Sequence, residues 1–310
     1  MIYSHLPFCN RPISRIGLGT VQFGLDYGYS RKKSQTEVDE ILRSCVKNEI
    51  NFLDTARGYG DSEEKIGTFI AGISSSPFFI ATKLEKIPER ITSRPRDLVQ
   101  HIEKSINSSL EKLRVPRIDL LQLHQTDTFV SESAEFWEAI GKLKGKGYFE
   151  FFGISTYEVD ETVSLINRYG DHLNFVQVPF SVFDQRFAAL GEKVKGKRIG
   201  LISRSALLKG LVAVKDEGVP VELQGIKEFK ERLERLADRV SLSVSEVAIL
   251  FAARSDFIDC TLVGMNSVSE LEANVRALEH ISQLDAIEED LRNLAIDDPF
   301  LVDPRRWTQL

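Results

Sequence analysis

Cysteine is scarce: Cys9, Cys45 and Cys260 are the only three in 310 residues, far apart and in no C-x-x-C pair. That excludes a disulfide-stapled fold and a thiolate metal knuckle, and it fits a reducing compartment. Long apolar runs are missing as well. No stretch approaches the roughly 20 residues a membrane span needs, and the opening MIYSHLPFCNRPISR has no apolar core behind a basic start. Neither a membrane partner nor a secretory leader is expected, and a cytoplasmic location follows as the default. Positive charge is in deficit, 40 Lys and Arg against 46 Asp and Glu for a net charge of −6. With no basic stripe interleaved with aromatics, nucleic acid is not an expected partner. The local basic stretch Lys193 to Arg198 reads as the solvated end of a helix. The five histidines are scattered, none beside Cys or carboxylate at ligand spacing, so no metal is expected.

Apolar residues at 42% suffice for a sizeable core. Their spacing alternates between short strand-like runs and longer stretches with steps of three and four. Strands are expected at Arg15–Val21, Asn51–Thr55, Phe78–Lys83, Ile118–His124, Glu150–Ser155, Phe175–Val178, Gly200–Arg204 and Cys260–Gly264. Helices are expected over Thr36–Asn48, Leu98–Leu113, Phe136–Leu143, Val159–Tyr169, Ala188–Val194 and Leu271–Leu278. Two more, Lys227–Arg239 and Ser243–Ala253, precede the last strand, and Asp285–Leu294 follows the eighth unit. Strict alternation demands crossovers and parallel pairing. An open doubly wound sheet shares that alternation, but eight units is the number that closes a (β/α)8 barrel. Residues 1–310 are expected to form this one barrel domain, with an insertion over Leu208–Gly225. Met1–Ser14 reads as irregular or a short hairpin.

Several of these strands end in polar, ionisable residues: Asp54, then Lys83, then His124, with Tyr59 just past the second strand. In a parallel barrel all C-terminal strand ends open on one face, where active sites are built. These four residues should therefore converge. A phenol is a poor acid or base at neutral pH. A neighbouring ammonium, held charged by a carboxylate, is expected to lower its pKa, while an imidazole bonds a substrate oxygen. The set suits protonation of a carbonyl oxygen as hydride reaches its carbon. Taken singly, each residue reads as blandly as a cap, an ion-pair partner or a core polar group. Phe149, Phe151 and Phe152 are expected to fill barrel layers.

The run Asn51 to Glu63, NFLDTARGYGDSE, resembles the signature of the aldo-keto reductase family. Ala81-Thr82-Lys83, the LLQLH run ending at His124, Gly17-Leu18-Gly19-Thr20, Gly153-Ile154-Ser155, Val176-Gln177 and Val263-Gly264 with Asn274 follow in family order. The loop VQFGLDYG, Val21 to Gly28, is similar to that of bacterial members associated with surface-sugar pathways. The resemblance implies an NAD(P)(H)-dependent reductase of aldehydes, ketones or sugar-like carbonyls. Tyr59 would be the general acid, tuned by Lys83 and Asp54, with His124 orienting the carbonyl. Ser155 and Gln177 would hold the nicotinamide carboxamide. Further cofactor contacts are implied at Gly19, Thr20, Asp54, Ser205, Leu207, Gly264, Asn266, Glu270 and Asn274.

Three departures stand out. Thr156 replaces the family's usual Asn, and a hydroxyl supplies only part of an amide's bonding. Arg204 replaces the aromatic that stacks on nicotinamide; its guanidinium either stacks on that ring or turns to a carboxylate at the rim. Glu270 lies where members that grip a 2′-phosphate often carry Lys or Arg. Family habit favours NADP(H), and Glu270 keeps NAD(H) in play. Substrate choice is expected to lie with Phe23–Ser30, Gln125–Ser133, Leu211–Gln224 and Phe300–Trp307. The potassium-channel β subunits resemble the same family, so a non-catalytic, nucleotide-binding regulatory subunit is the alternative. An isomerase or lyase on the same barrel lacks an evident phosphate-gripping loop of its own.

Overall fold

Side-chain phase along eight central strands decides the architecture. A computed structural model describes residues 1–307 apart from 125 and 195, so Gln125 of the expected substrate loop and Lys195 of the basic stretch lie outside the described residues. Two short strands, β1 (Tyr3–Ser4) and β2 (Ile13–Ser14), pair as an antiparallel hairpin. Eight parallel strands follow: β3 (Ile16–Gly19), β4 (Phe52–Asp54), β5 (Phe79–Lys83), β6 (Ile118–Leu123), β7 (Phe149–Ser155), β8 (Phe175–Pro179), β9 (Gly200–Arg204) and β10 (Cys260–Gly264). They pair in sequence order, and β10 closes on β3, so the barrel expected from the alternation is present.

Successive residues of a strand face opposite sides, so one set fills the barrel and the other meets the outer helices. Low in the barrel the inner set is apolar: Phe52, Phe79, Ala81, Leu120, Phe151, Phe175, Ile202, Cys260 and Leu262. Phe8 closes this lower end, edge-on to Phe151 at 5.8 Å and to Phe175 at 5.4 Å between ring centres. Two residues further along each strand the inner column turns polar: Phe52 leads to Asp54, Ala81 to Lys83, Leu120 to Gln122, Phe175 to Gln177 and Ile202 to Arg204. Register holds these ends level, pairing Gly19 with Asp54, Lys83 with Gln122, and Ser155 with Gln177. Of the three phenylalanines on β7, only Phe151 faces inward. Phe149 and Phe152 pack outside, where Phe152 meets Phe136 and Trp137.

Local signals account for the outer helices. Gln35–Lys47 and Val244–Arg254 each start on a capping box, Ser34 with Glu37 and Ser243 with Glu246. Pro95 opens the long helix Pro95–Leu113, which left-handed Arg114 ends. A helix over Ser62–Ala71 joins β4 to β5, where no helix was expected. The helix before β9 spans only Leu190–Val194, so the basic residues Lys197 and Arg198 follow it rather than form its end. The first central strand stops at Gly19, because Val21–Gly24 already turns as a helix. The 208–225 insertion is three short 3-10 turns, Leu208–Gly210, Asp216–Gly218 and Val221–Ile226. No helix among the described residues is long and apolar enough to cross a membrane.

Candidate active site

The polar strand ends open into a cavity of about 700 Å³, lined by Asp54, Tyr59, Lys83 and His124 together. β4 and β5 supply the ion pair: Lys83 Nζ donates to Asp54 Oδ2 at 2.5 Å and to the Thr55 carbonyl at 3.1 Å, both side chains fully enclosed. The other Asp54 oxygen accepts from Gln177 Nε2 at 2.9 Å and Gln122 Nε2 at 3.2 Å. Gln122 was quoted in the sequence only as part of a strand motif, yet it holds the carboxylate in place.

Tyr59 stands on a turn in which its own N–H donates to the Ala56 carbonyl and its carbonyl accepts from Ser62 N–H, both at 3.0 Å. Gly24 makes room for that turn, since a Cβ there would lie 1.7 Å from the Tyr59 carbonyl oxygen. The remaining signature residues lock the turn down. Ser62 Oγ donates to the Thr20 carbonyl at 3.0 Å, and buried Glu63 accepts from Thr82 Oγ1 at 2.7 Å and from Arg57 at 2.9 Å. The Tyr59 ring meets His124 edge-on at 5.7 Å and lies 5.1 Å from Lys83 Nζ.

Burial, with the Asp54 charge adding to it, raises the Tyr59 pKa, against an opposing pull from Arg204. The lowering expected from Lys83 does not prevail, because the ammonium is engaged by Asp54. Burial likewise holds Lys83 below its usual value, opposed by Asp54. His124 is pushed down to about 4 by burial and then by Lys83. At neutral pH the site thus presents a protonated phenol and a neutral imidazole.

Most of the sequence-derived contacts line the same cavity: Gly19, Ser155, Gln177, Arg204, Ser205, Leu207, Gly264, Asn266, Glu270 and Asn274. Thr20 does not. Its hydroxyl is buried and donates to the Asp54 carbonyl at 2.9 Å. Thr156 is also off the cavity, its hydroxyl accepting from Thr162 at 2.7 Å. Ser155 Oγ and Gln177 Oε1 face each other at 3.4 Å. Near the far end, Glu270 Oε2 accepts the Asn266 backbone N–H at 2.7 Å, and Asn266 Oδ1 is buried without a partner.

Arg204 takes neither posture in full. It has no carboxylate partner among the described residues. Its guanidinium lies over the Tyr157 ring at 3.7 Å and donates to the Thr156 carbonyl at 2.8 Å. Tyr157 also lines the cavity and was singled out by no motif; Tyr27 lines it from within the VQFGLDYG loop, and Arg305 was covered only by the expected C-terminal substrate segment. Among the described residues, no group of three or more His, Cys, Asp or Glu side chains is disposed to hold a metal.

The profile of the Aldo/keto reductase family matches residues 15–289. The L-galactose dehydrogenase of Arabidopsis thaliana is 27% identical, over 91% of this chain and 92% of its own. A putative voltage-gated potassium channel subunit beta of Schizosaccharomyces pombe is 24% identical, over 90% of each. Among solved structures, an aldo-keto reductase from Bacillus halodurans in its holo form superposes with a TM-score of 0.74 at 21% identity, covering 97% of this chain and 99% of that one.

Proposed function

The chain belongs to the aldo/keto reductase family, and from that premise we propose that it is a nicotinamide-dependent reductase of small aldehydes, ketones or sugar-like carbonyls. One observation carries the reading: Asp54, Tyr59, Lys83 and His124 converge on a single cavity. Among the described residues the Tyr59 hydroxyl has no protein hydrogen-bond partner, so its proton is available to a ligand.

The far end of the cavity supports a fit to the cofactor. Asn266 Oδ1, buried and unpartnered, lacks a donor that a ribose hydroxyl or an adenine amine would provide. Gly264, Asn266, Glu270 and Asn274 would hold that end, Gly19, Ser205 and Leu207 would flank the middle, and Ser155 with Gln177 would hold the carboxamide. When bound, the nicotinamide supplies a hydride to the carbonyl carbon. Tyr59, raised in pKa by burial, keeps its proton at neutral pH and gives it to the carbonyl oxygen. Lys83, close to the ring, and Arg204, whose charge opposes the raised pKa, stabilise the phenolate left behind. Neutral His124 orients the carbonyl with a ring N–H.

For the cofactor, we favour NAD(H) over the NADP(H) of family habit. Asn266 Oδ1 and the Glu270 carboxylate are both acceptors, which suits a ribose 2′-hydroxyl and opposes a 2′-phosphate. We also read the chain as one barrel domain, working in the cytoplasm as its free, isolated cysteines suggest. The test is a nicotinamide-fluorescence titration with NADH and NADPH, followed by turnover with short aldehydes. Tight binding without reduction of any carbonyl would move the chain to the alternative, a regulatory subunit. No binding of either nucleotide would end both readings.

A further inference from the structure

Among the described residues, one cation lining the cavity, Arg204, has no carboxylate partner. Six charged side chains line the cavity: Lys83, Arg204, Lys209 and Arg305 against Asp54 and Glu270. Asp54 is taken by Lys83, and Glu270 sits at the far end on the Asn266 N–H. Arg305 is held by Asp303 at 2.6 Å and by Glu158 at 2.9 Å. Among the described residues Arg204 has only neutral hydrogen-bond partners, the Thr156 carbonyl at 2.8 Å and Ser205 Oγ at 3.4 Å. Those two acceptors occupy two of its five N–H groups.

Its position is also fixed. The Arg204 and Arg305 guanidinium carbons stand 3.7 Å and 3.6 Å from the centre of the same Tyr157 ring. Two groups that close cannot share one face, so Tyr157 is clamped between them, and Arg305 anchors the stack through its two carboxylates. A half-buried, pre-positioned guanidinium with spare donors is suited to a planar or tetrahedral oxyanion. Tyr27 lines the same cavity as Arg204 and Tyr157, and its phenol adds a further donor there.

We propose that the substrate carries an oxyanion, a carboxylate or a phosphate, in addition to its carbonyl, and that Arg204, seated on Tyr157, binds it. The proposal rests on the reductase reading of the same cavity but is tested without turnover. Succinate, glycerol 3-phosphate and glycerol are titrated calorimetrically into the protein saturated with whichever nicotinamide cofactor it binds. At least one of the two anions should bind alongside the cofactor while glycerol does not, the tighter anion identifying the group. Arg204→Gln should weaken that binding at least tenfold, with Arg204→Lys recovering part of it; thermal unfolding of each variant establishes that it is folded. Equal affinity in parent and Arg204→Gln overturns the proposal, as does an anion that displaces the cofactor. In a separate turnover assay, equal kcat/KM for butanal and succinic semialdehyde, with neither anion bound, would overturn the anion site and leave the reductase reading intact. Anion binding at Arg204 without reduction of any aldehyde would do the reverse.

Discussion

Tyr59 keeps its proton because of its surroundings. Burial and the nearby Asp54 carboxylate both disfavour a second negative charge, so the phenol stays protonated beyond its usual range. His124 moves the other way, to about 4, and is neutral across the physiological range. Carbonyl reduction needs the protonated phenol and the neutral imidazole. The acid limb of kcat/KM should therefore fall near pH 4 to 5, and no limb should appear near 6.5, where an ordinary histidine titrates. A profile from about pH 3.5 to 9 checks this, and an inflection near 6.5 would contradict the enclosed position of His124. Tyr59→Phe removes the transferable proton and little else. Turnover should drop by roughly 10² or more with cofactor affinity nearly unchanged, the usual scale for a lost general acid. A variant that retains most of the parent's activity would take Tyr59 out of the mechanism. Glu270→Arg reverses the charge at the far end of the cavity. The NADPH to NADH affinity ratio should rise by about 1 kcal/mol, fivefold or so, at this exposed position. An unchanged ratio would put Glu270 away from the 2′ position.

Among the elements, the segment after β9 has the most unusual backbone. Ser205, Leu208 and Lys209 all have positive φ, at 65°, 45° and 56°, which non-glycine residues adopt at a cost. Gly28 from the first loop closes against it, and a Cβ there would lie 2.2 Å from the Lys209 carbonyl oxygen. One buried lysine holds the segment from behind. Lys230 Nζ donates to the carbonyls of Leu211, Val212 and Val214 at 3.2, 3.0 and 2.6 Å, and burial lowers its pKa. Lys230→Met keeps most of the volume but leaves three carbonyls without that donor. It should destabilise the fold by roughly 2–4 kcal/mol, the range for breaking a buried polar group's partnership. Calorimetry measures the loss, and limited proteolysis should find new cuts between residues 207 and 226. Unchanged stability and protease resistance would mean that the segment holds itself. These features were not legible in the sequence. Strand positions were, because period-two apolar runs are local signals, whereas Gly28 against Lys209 joins two distant loops and Lys230 reaches Val214 from the helix Lys227–Arg239, contacts that no local pattern announces. The missed Ser62–Ala71 helix has a similar cause: it is short, and Gly67 and Gly72 thin out its apolar spacing.

For the whole molecule, legibility divides along the barrel axis. The inner column's switch from Phe52 to Asp54, or from Ala81 to Lys83, is written two letters apart, so the polar end with its cavity could be located from sequence. Arg305 beside Tyr157 could not, because the C-terminal segment reaches the site only after the chain has closed the barrel. Loops after β3, β9 and β10 meet around one cavity, which makes ligand binding a property of the folded barrel alone. A ligand that binds only the folded state stabilises it by about 2.7 kcal/mol at a hundredfold excess over its Kd. With about 2 cal/mol/K of unfolding entropy per residue, a chain of 310 residues should gain about 4 °C in Tm. NADH should produce that shift in the parent, and NADPH at the same concentration a smaller one, because on the proposed reading Glu270 and Asn266 Oδ1 would face the added phosphate. Glu270→Arg should narrow or invert the order without changing the Tm of the protein alone by more than a degree or so, as befits a surface substitution. Thermal scans of both proteins with each nucleotide decide it. A parent stabilised more by NADPH than by NADH would restore the family's usual preference and place Glu270 outside the cofactor's reach.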